Sequence, residues 1–184
     1  MTGKMTFSTK KIAKMGVFTA LPIVLKIPIL QIPNVEFFSF VVFTSGFLLG
    51  MLEGGIVGAL SMSIYTIFNP YGLPPLPIGI AQVLSMIFIG ILGGLLYKMI
   101  HLRRIKKISL SIFIWMGITG FSVTLLYDII TNLGVVIVMG QFIPIMIAAI
   151  PFSLIHLLSN TLIFILLTPL LFRLARLERR GELV

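Results

Sequence analysis

Three stretches of this chain, 78–100, 109–132 and 151–172, hold between them two formally charged side chains, Lys98 and Asp128. A run of roughly 18 or more apolar residues spans the hydrocarbon layer of a bilayer, while a water-soluble domain needs polar residues along every such segment. Inside lipid each backbone N–H and C=O must be satisfied within its own segment, which a helix does. The fold class follows as an all-α integral membrane protein. Composition agrees: 10% of residues are charged, against about 25% in ordinary soluble domains.

The basic residues are confined to short clusters beside apolar runs: Lys4, Lys10, Lys11 and Lys14; Arg103, Arg104, Lys106 and Lys107; Arg173, Arg176, Arg179 and Arg180. The net charge of +9 is thereby the signature of a membrane's cytoplasmic face and anionic lipid headgroups, and nucleic acid is not an expected partner. The opening "MTGKMTFSTKKIAKMGVFTALPIVL" is basic and then apolar, like a secretory signal. No small-x-small cleavage site precedes Pro22 and Lys26, so a retained first helix is expected.

Apolar segments are expected at about 11–28, 36–52, 55–68, 78–100, 109–132 and 151–172. The stretch 37–68 could form one long helix or two short ones broken at "LEGG". Two helices place all three basic clusters on one side, as the positive-inside rule requires. One compact bundle of six transmembrane helices with both termini cytoplasmic is therefore expected, as a single domain over 1–184. "KIPILQIPNVE", "NPYGLPPLP" and 133–150 then face outward, and "HLRRIKK" inward. No internal repeat supports an inverted-repeat architecture.

Gly46, Gly50, Gly54 and Gly58 recur every fourth residue, and Gly16 with Ala20 forms a small-xxx-small pair. Such residues let membrane helices approach closely, either within the bundle or against a partner. The polar groups within the spans are few: Gln82 and Ser85; Thr124, Asp128, Thr131 and Asn132; Ser153, His156 and Asn160; with Glu36 opening the second span. On helical spacing 124, 128 and 131 share a face, as do 153, 156 and 160. All lie toward the outer ends of their spans, which is the pattern of a pocket between spans four, five and six or of a hydrogen-bond network joining them. Pro77 and Pro151 suit the first turns of spans four and six. Trp115 falls in the inner half of span five, away from that pocket.

Catalytic and metal chemistry find little footing. There is no cysteine, and His101 and His156 fall at opposite ends of the bundle, so no metal site or cofactor is expected. Neither a nucleophile elbow nor a phosphate-binding loop is present, so the chain is not expected to be an enzyme or to use ATP itself. The residues alone leave open a stand-alone ion-coupled carrier with Asp128 as its coupling carboxylate, a structural membrane subunit, and, least favoured, an intramembrane enzyme.

Three motifs narrow this. "IPNVEFFSF", "YDIITNLG" and "PFSLIHLLSNTLIFILLTPLLFRLARL" occur in the order and topology of the substrate-binding S components of energy-coupling factor (ECF) transporters, and the chain resembles that family over nearly its whole length. The resemblance implies a vitamin or related micronutrient captured from outside a prokaryotic plasma membrane. It also implies delivery through a membrane coupling protein and two cytoplasmic ATPases. It implies substrate-binding residues among Asn34, Glu36, Gln82, Tyr127, Asp128, Asn132, His156 and Asn160. It implies docking to the coupling protein through small residues on the first helix, here Ala13, Gly16 and Ala20, where glycine departs from the usual alanine. Asp128 and Glu36 favour a ligand with a cationic or hydrogen-donating group.

Overall fold

The computed structural model describes residues 8–100 and 107–183. Lys4, Arg103, Arg104 and Lys106 of the basic clusters, and His101, lie outside the described residues. Among the described residues six α-helices follow one another: α1 Thr9–Lys26, α2 Phe38–Leu49, α3 Met51–Ile67, α4 Leu76–Met99, α5 Leu110–Met139 and α6 Phe142–Arg180. A 3-10 turn, Ile27–Ile29, extends α1. The Ser8 hydroxyl caps α1 by accepting from the Lys11 N–H, and Pro77 lies in the first turn of α4, where a missing N–H costs least.

Among the described residues four helices are long and apolar enough to cross a membrane: Thr9–Ile29, Leu76–Met99, Leu110–Met139 and Phe142–Arg180. Their outward faces carry Val17, Phe88, Trp115, Leu158 and Leu166, a surface suited to lipid. The other two helices are shorter. α2, with 12 residues, is about 18 Å long at 1.5 Å per residue. Nearly every residue of it is buried, as expected of a helix apolar on all sides. It is the core of the bundle, where Phe43 meets Phe164 edge-on and Phe47 meets Tyr97 and Phe172.

The stretch 37–68 forms two helices, and the break falls at Gly50, two residues before "LEGG". Gly50 has φ +124°, a backbone state that an L side chain rarely adopts. Glu53 is not part of the turn but sits in the first turn of α3. The chain doubles back there, so Gly54 lies against the Cα of Gly46. Both press on Gly90 of α4, whose would-be Cβ lies 2.0 Å from the Gly54 carbonyl oxygen. Gly58 packs in the same way on Met86, and Gly93 on Phe43. Three of the four regularly spaced glycines thus serve close packing inside the bundle, and the fourth makes the turn.

The region 133–150 is not a loop. α5 continues to Met139 and α6 begins at Phe142, joined through Gly140, whose φ of +71° ends α5. Pro151 consequently lies within α6, not in its first turn. Seven further apolar residues, Leu133 to Met139, carry the helix on, and a proline inside a helix forfeits one hydrogen bond without necessarily ending it.

Ion pairs define the two ends. Lys11 pairs with Glu53 and Lys14 with Glu178, bringing the start of α1, the start of α3 and the end of α6 to one end, here the basic end. At the opposite end Lys26 of α1 meets Glu36.

Candidate functional site

At the end opposite the basic one, a cavity of about 380 Å³ lies between α4, α5, α6 and the segment that leads into α2. That segment turns at Asn34, which adopts φ +58°, a left-handed conformation asparagine tolerates better than most residues. The Ser159 hydroxyl donates to the Asn34 carbonyl at 2.7 Å, fixing the turn against α6. Two residues on, Glu36 is presented to the bundle interior just before α2 begins.

A chain of ionisable groups crosses the site. Lys26 Nζ lies 2.9 Å from Glu36 Oε2, and Glu36 Oε1 lies 3.5 Å from His156 Nε2. The other ring nitrogen, Nδ1, is 2.7 Å from Asp128 Oδ1, the distance of a ring N–H donating to a carboxylate. The Tyr127 ring stands edge-on to the imidazole, with centroids 5.7 Å apart, and limits its rotation. Opposite, the Gln82 amide oxygen accepts from Thr66 at 3.4 Å. Lys26 and His156 flank the buried Glu36 carboxylate on its two oxygens and oppose the cost of burying its charge.

Asn34, Glu36, Gln82, Tyr127, Asp128, Asn132 and His156, all singled out from the sequence, line this one cavity. Asn160 does not. It lies one turn deeper in α6, fully buried, with both amide atoms lacking a hydrogen-bond partner among the described residues. Ser85 and Thr124 also stay out of it, since each hydroxyl donates to the carbonyl four residues back, on Ala81 and Gly120. Lys26 lines the cavity and was missed in the sequence reading. The available signal was a lone lysine at the outer end of the first span, on the side where cations are rare, ten residues from Glu36.

The residues proposed for docking lie elsewhere. Ala13, Gly16 and Ala20 are exposed on α1, and nothing lies within 4 Å of a Cβ built on Gly16. Gly16 and Ala20 border a shallow apolar groove shared with Leu60 and Ile64 of α3.

A family model described as "ECF transporter, substrate-specific component" matches residues 10–168. The chain belongs to this family. The match covers α1 through most of α6 and all the cavity-lining residues. The S component is thus a membrane protein of a transporter family rather than of an enzyme family, and members of that family work in general with a membrane coupling protein and ATPases. No curated protein and no solved structure matches the chain.

Proposed function

We propose that this S component captures a vitamin or related micronutrient from outside a prokaryotic cell and hands it to a coupling protein driven by two ATPases. The observation that carries this reading is the cavity, which gathers a carboxylate pair, an imidazole, an ammonium and three amides at one end of an otherwise apolar bundle. Its volume suits one small molecule. The described members of the first and last basic clusters sit at the opposite end, so the positive-inside rule turns the cavity outward. All six helices then cross the membrane with both termini cytoplasmic, the short α2 shielded from lipid by its neighbours. Asn34, Glu36, Gln82, Tyr127, Asp128, Asn132 and His156 contact the ligand, while Asn160 supports the floor beneath His156. The chain itself performs no chemistry on the ligand.

Mass spectrometry of small molecules released from protein purified gently from a vitamin-replete host tests the reading. The expected result is one stoichiometric micronutrient-sized compound. Uptake that persists without the ATPases and collapses with an ion gradient would instead make the chain a lone carrier, with Asp128 as its coupling group.

The exposed face of α1 supplies a separate prediction. The Gly16→Leu/Ala20→Leu double variant is expected to lose copurification with the coupling protein while ligand binding is kept, because both positions are exposed and lie away from the cavity. Loss of both activities together would show that this face supports the bundle and is not a docking surface.

A further inference from the structure

A second cavity shares no residue with the first. At the basic end α4, α5 and α6 leave an apolar crevice of about 340 Å³. Met116 and Phe172, each 1% exposed, form its floor, and Met99 and Trp115, each 67% exposed, stand at its sides. Thr119 supplies the one hydroxyl in the lining, and it is already engaged with the Trp115 carbonyl at 2.8 Å. An apolar slot on a bilayer-facing surface offers dispersion contacts to whatever chain lies in it.

Charge says which chain. Lys107 directly precedes Ile108, which packs against the core cluster that includes Met116 and Phe172, and lies five residues before Ile112 of the lining; Arg173 directly follows Phe172 of its floor. Both cations are exposed, and neither pairs with a carboxylate among the described residues. Near a bilayer surface such cations attract anionic headgroups by about 1 kcal/mol each, and a tryptophan at this level suits the membrane–water boundary.

We propose that the crevice binds an anionic phospholipid, with one acyl chain against Met116, Trp115 and Phe172 and the phosphate held by Lys107 and Arg173. Trp115 is the only tryptophan in the chain, so it reports occupancy directly. The S component is reconstituted in phosphatidylcholine vesicles containing equal mole fractions of brominated phosphatidylglycerol or brominated phosphatidylcholine, and Trp115 quenching is titrated. Because the bromines sit on the acyl chain, free phosphate gives no signal. Brominated phosphatidylglycerol is expected to reach half-quenching at a roughly tenfold lower mole fraction. Lys107→Gln/Arg173→Gln is expected to remove that preference, and Thr119→Phe, which fills the crevice, to weaken quenching by both lipids. Equal quenching by the two lipids in the parent protein would overturn the proposal, as would a preference that survives the charge variant. Protection of Trp115 from both lipids by added coupling protein would assign the crevice to that partner instead.

Discussion

Asp128→Ala is expected to weaken ligand binding by about a hundredfold and to lower the melting temperature of the ligand-free protein as well. The first effect follows from position, because Asp128 lines the cavity and is the group that sets the imidazole of His156. Without Asp128 Oδ1, Nδ1 has no acceptor, and the remaining carboxylate, on Glu36, is 3.5 Å from the other ring nitrogen. The second effect follows from burial. Removing one member of a buried pair leaves its partner uncompensated at a cost of about 3–5 kcal/mol. Asp128→Asn, which keeps an acceptor at the same place, is expected to recover most of the stability and only part of the affinity. His156→Ala in the Asp128→Ala background is expected to add little, with a coupling of about 1–3 kcal/mol in a double-mutant cycle. Calorimetry on the purified protein with its released ligand measures the affinities, and thermal melting measures the stabilities. Full affinity in Asp128→Ala would move the ligand out of this cavity.

A larger loss is expected from a single methyl group. Gly90→Ala puts a Cβ 2.0 Å from the Gly54 carbonyl oxygen and 2.3 Å from its carbon. Both obstacles are backbone, so no side-chain rotation relieves the overlap, and α3 and α4 must separate along their length. A cost above about 4 kcal/mol is expected, enough to abolish a monodisperse peak in size-exclusion chromatography after heating in detergent. Gly16→Ala is the matched control, since the same added methyl meets nothing within 4 Å, and it is expected to melt with the parent. Equal melting of the two variants would show that the helices have room that the observed spacing denies them.

The sequence made the helices legible because their composition leaves few alternatives, and it read the glycine series as close packing for the same reason. It misplaced features wherever a local signal competed with packing. Glu53 looked like part of a polar turn, yet it tucks into the first turn of α3 and pairs with Lys11, while Gly50, hidden within the regular glycine spacing, reverses the chain. Pro151 looked like a helix start, although the apolar segment before it continues α6 unbroken. At the cavity, depth within the spans was the informative variable. Gln82, Asp128, Asn132 and His156 were found because polar groups at a shared depth converge when helices pack. Spacing on one helical face was less informative, since Asn160 follows His156 by one turn yet does not line the cavity. The hydroxyls divided: Thr131 and Ser153 line the cavity, while Ser85 and Thr124 satisfy themselves on their own helices away from it. Lys26 escaped because its partner lies beyond a turn that only the fold closes.

The glycine contacts also have a mechanical consequence. Where Gly46, Gly54 and Gly90 meet, the backbones of α2, α3 and α4 touch with no compliant layer of side chains between them, so the three are expected to move as one plate. The α5–α6 hairpin meets that plate at one such close contact, Gly134 against the Pro77 carbonyl and Ile78, and elsewhere through larger side chains, among them Phe164 against Phe40 and Phe43, and through the polar links Glu36 to His156 and Asn34 to Ser159. Those links sit beside the cavity. The seam between plate and hairpin is therefore where the cavity is expected to open and close, with Gly140 at the tip of the hairpin and the Asn34 turn as its latch.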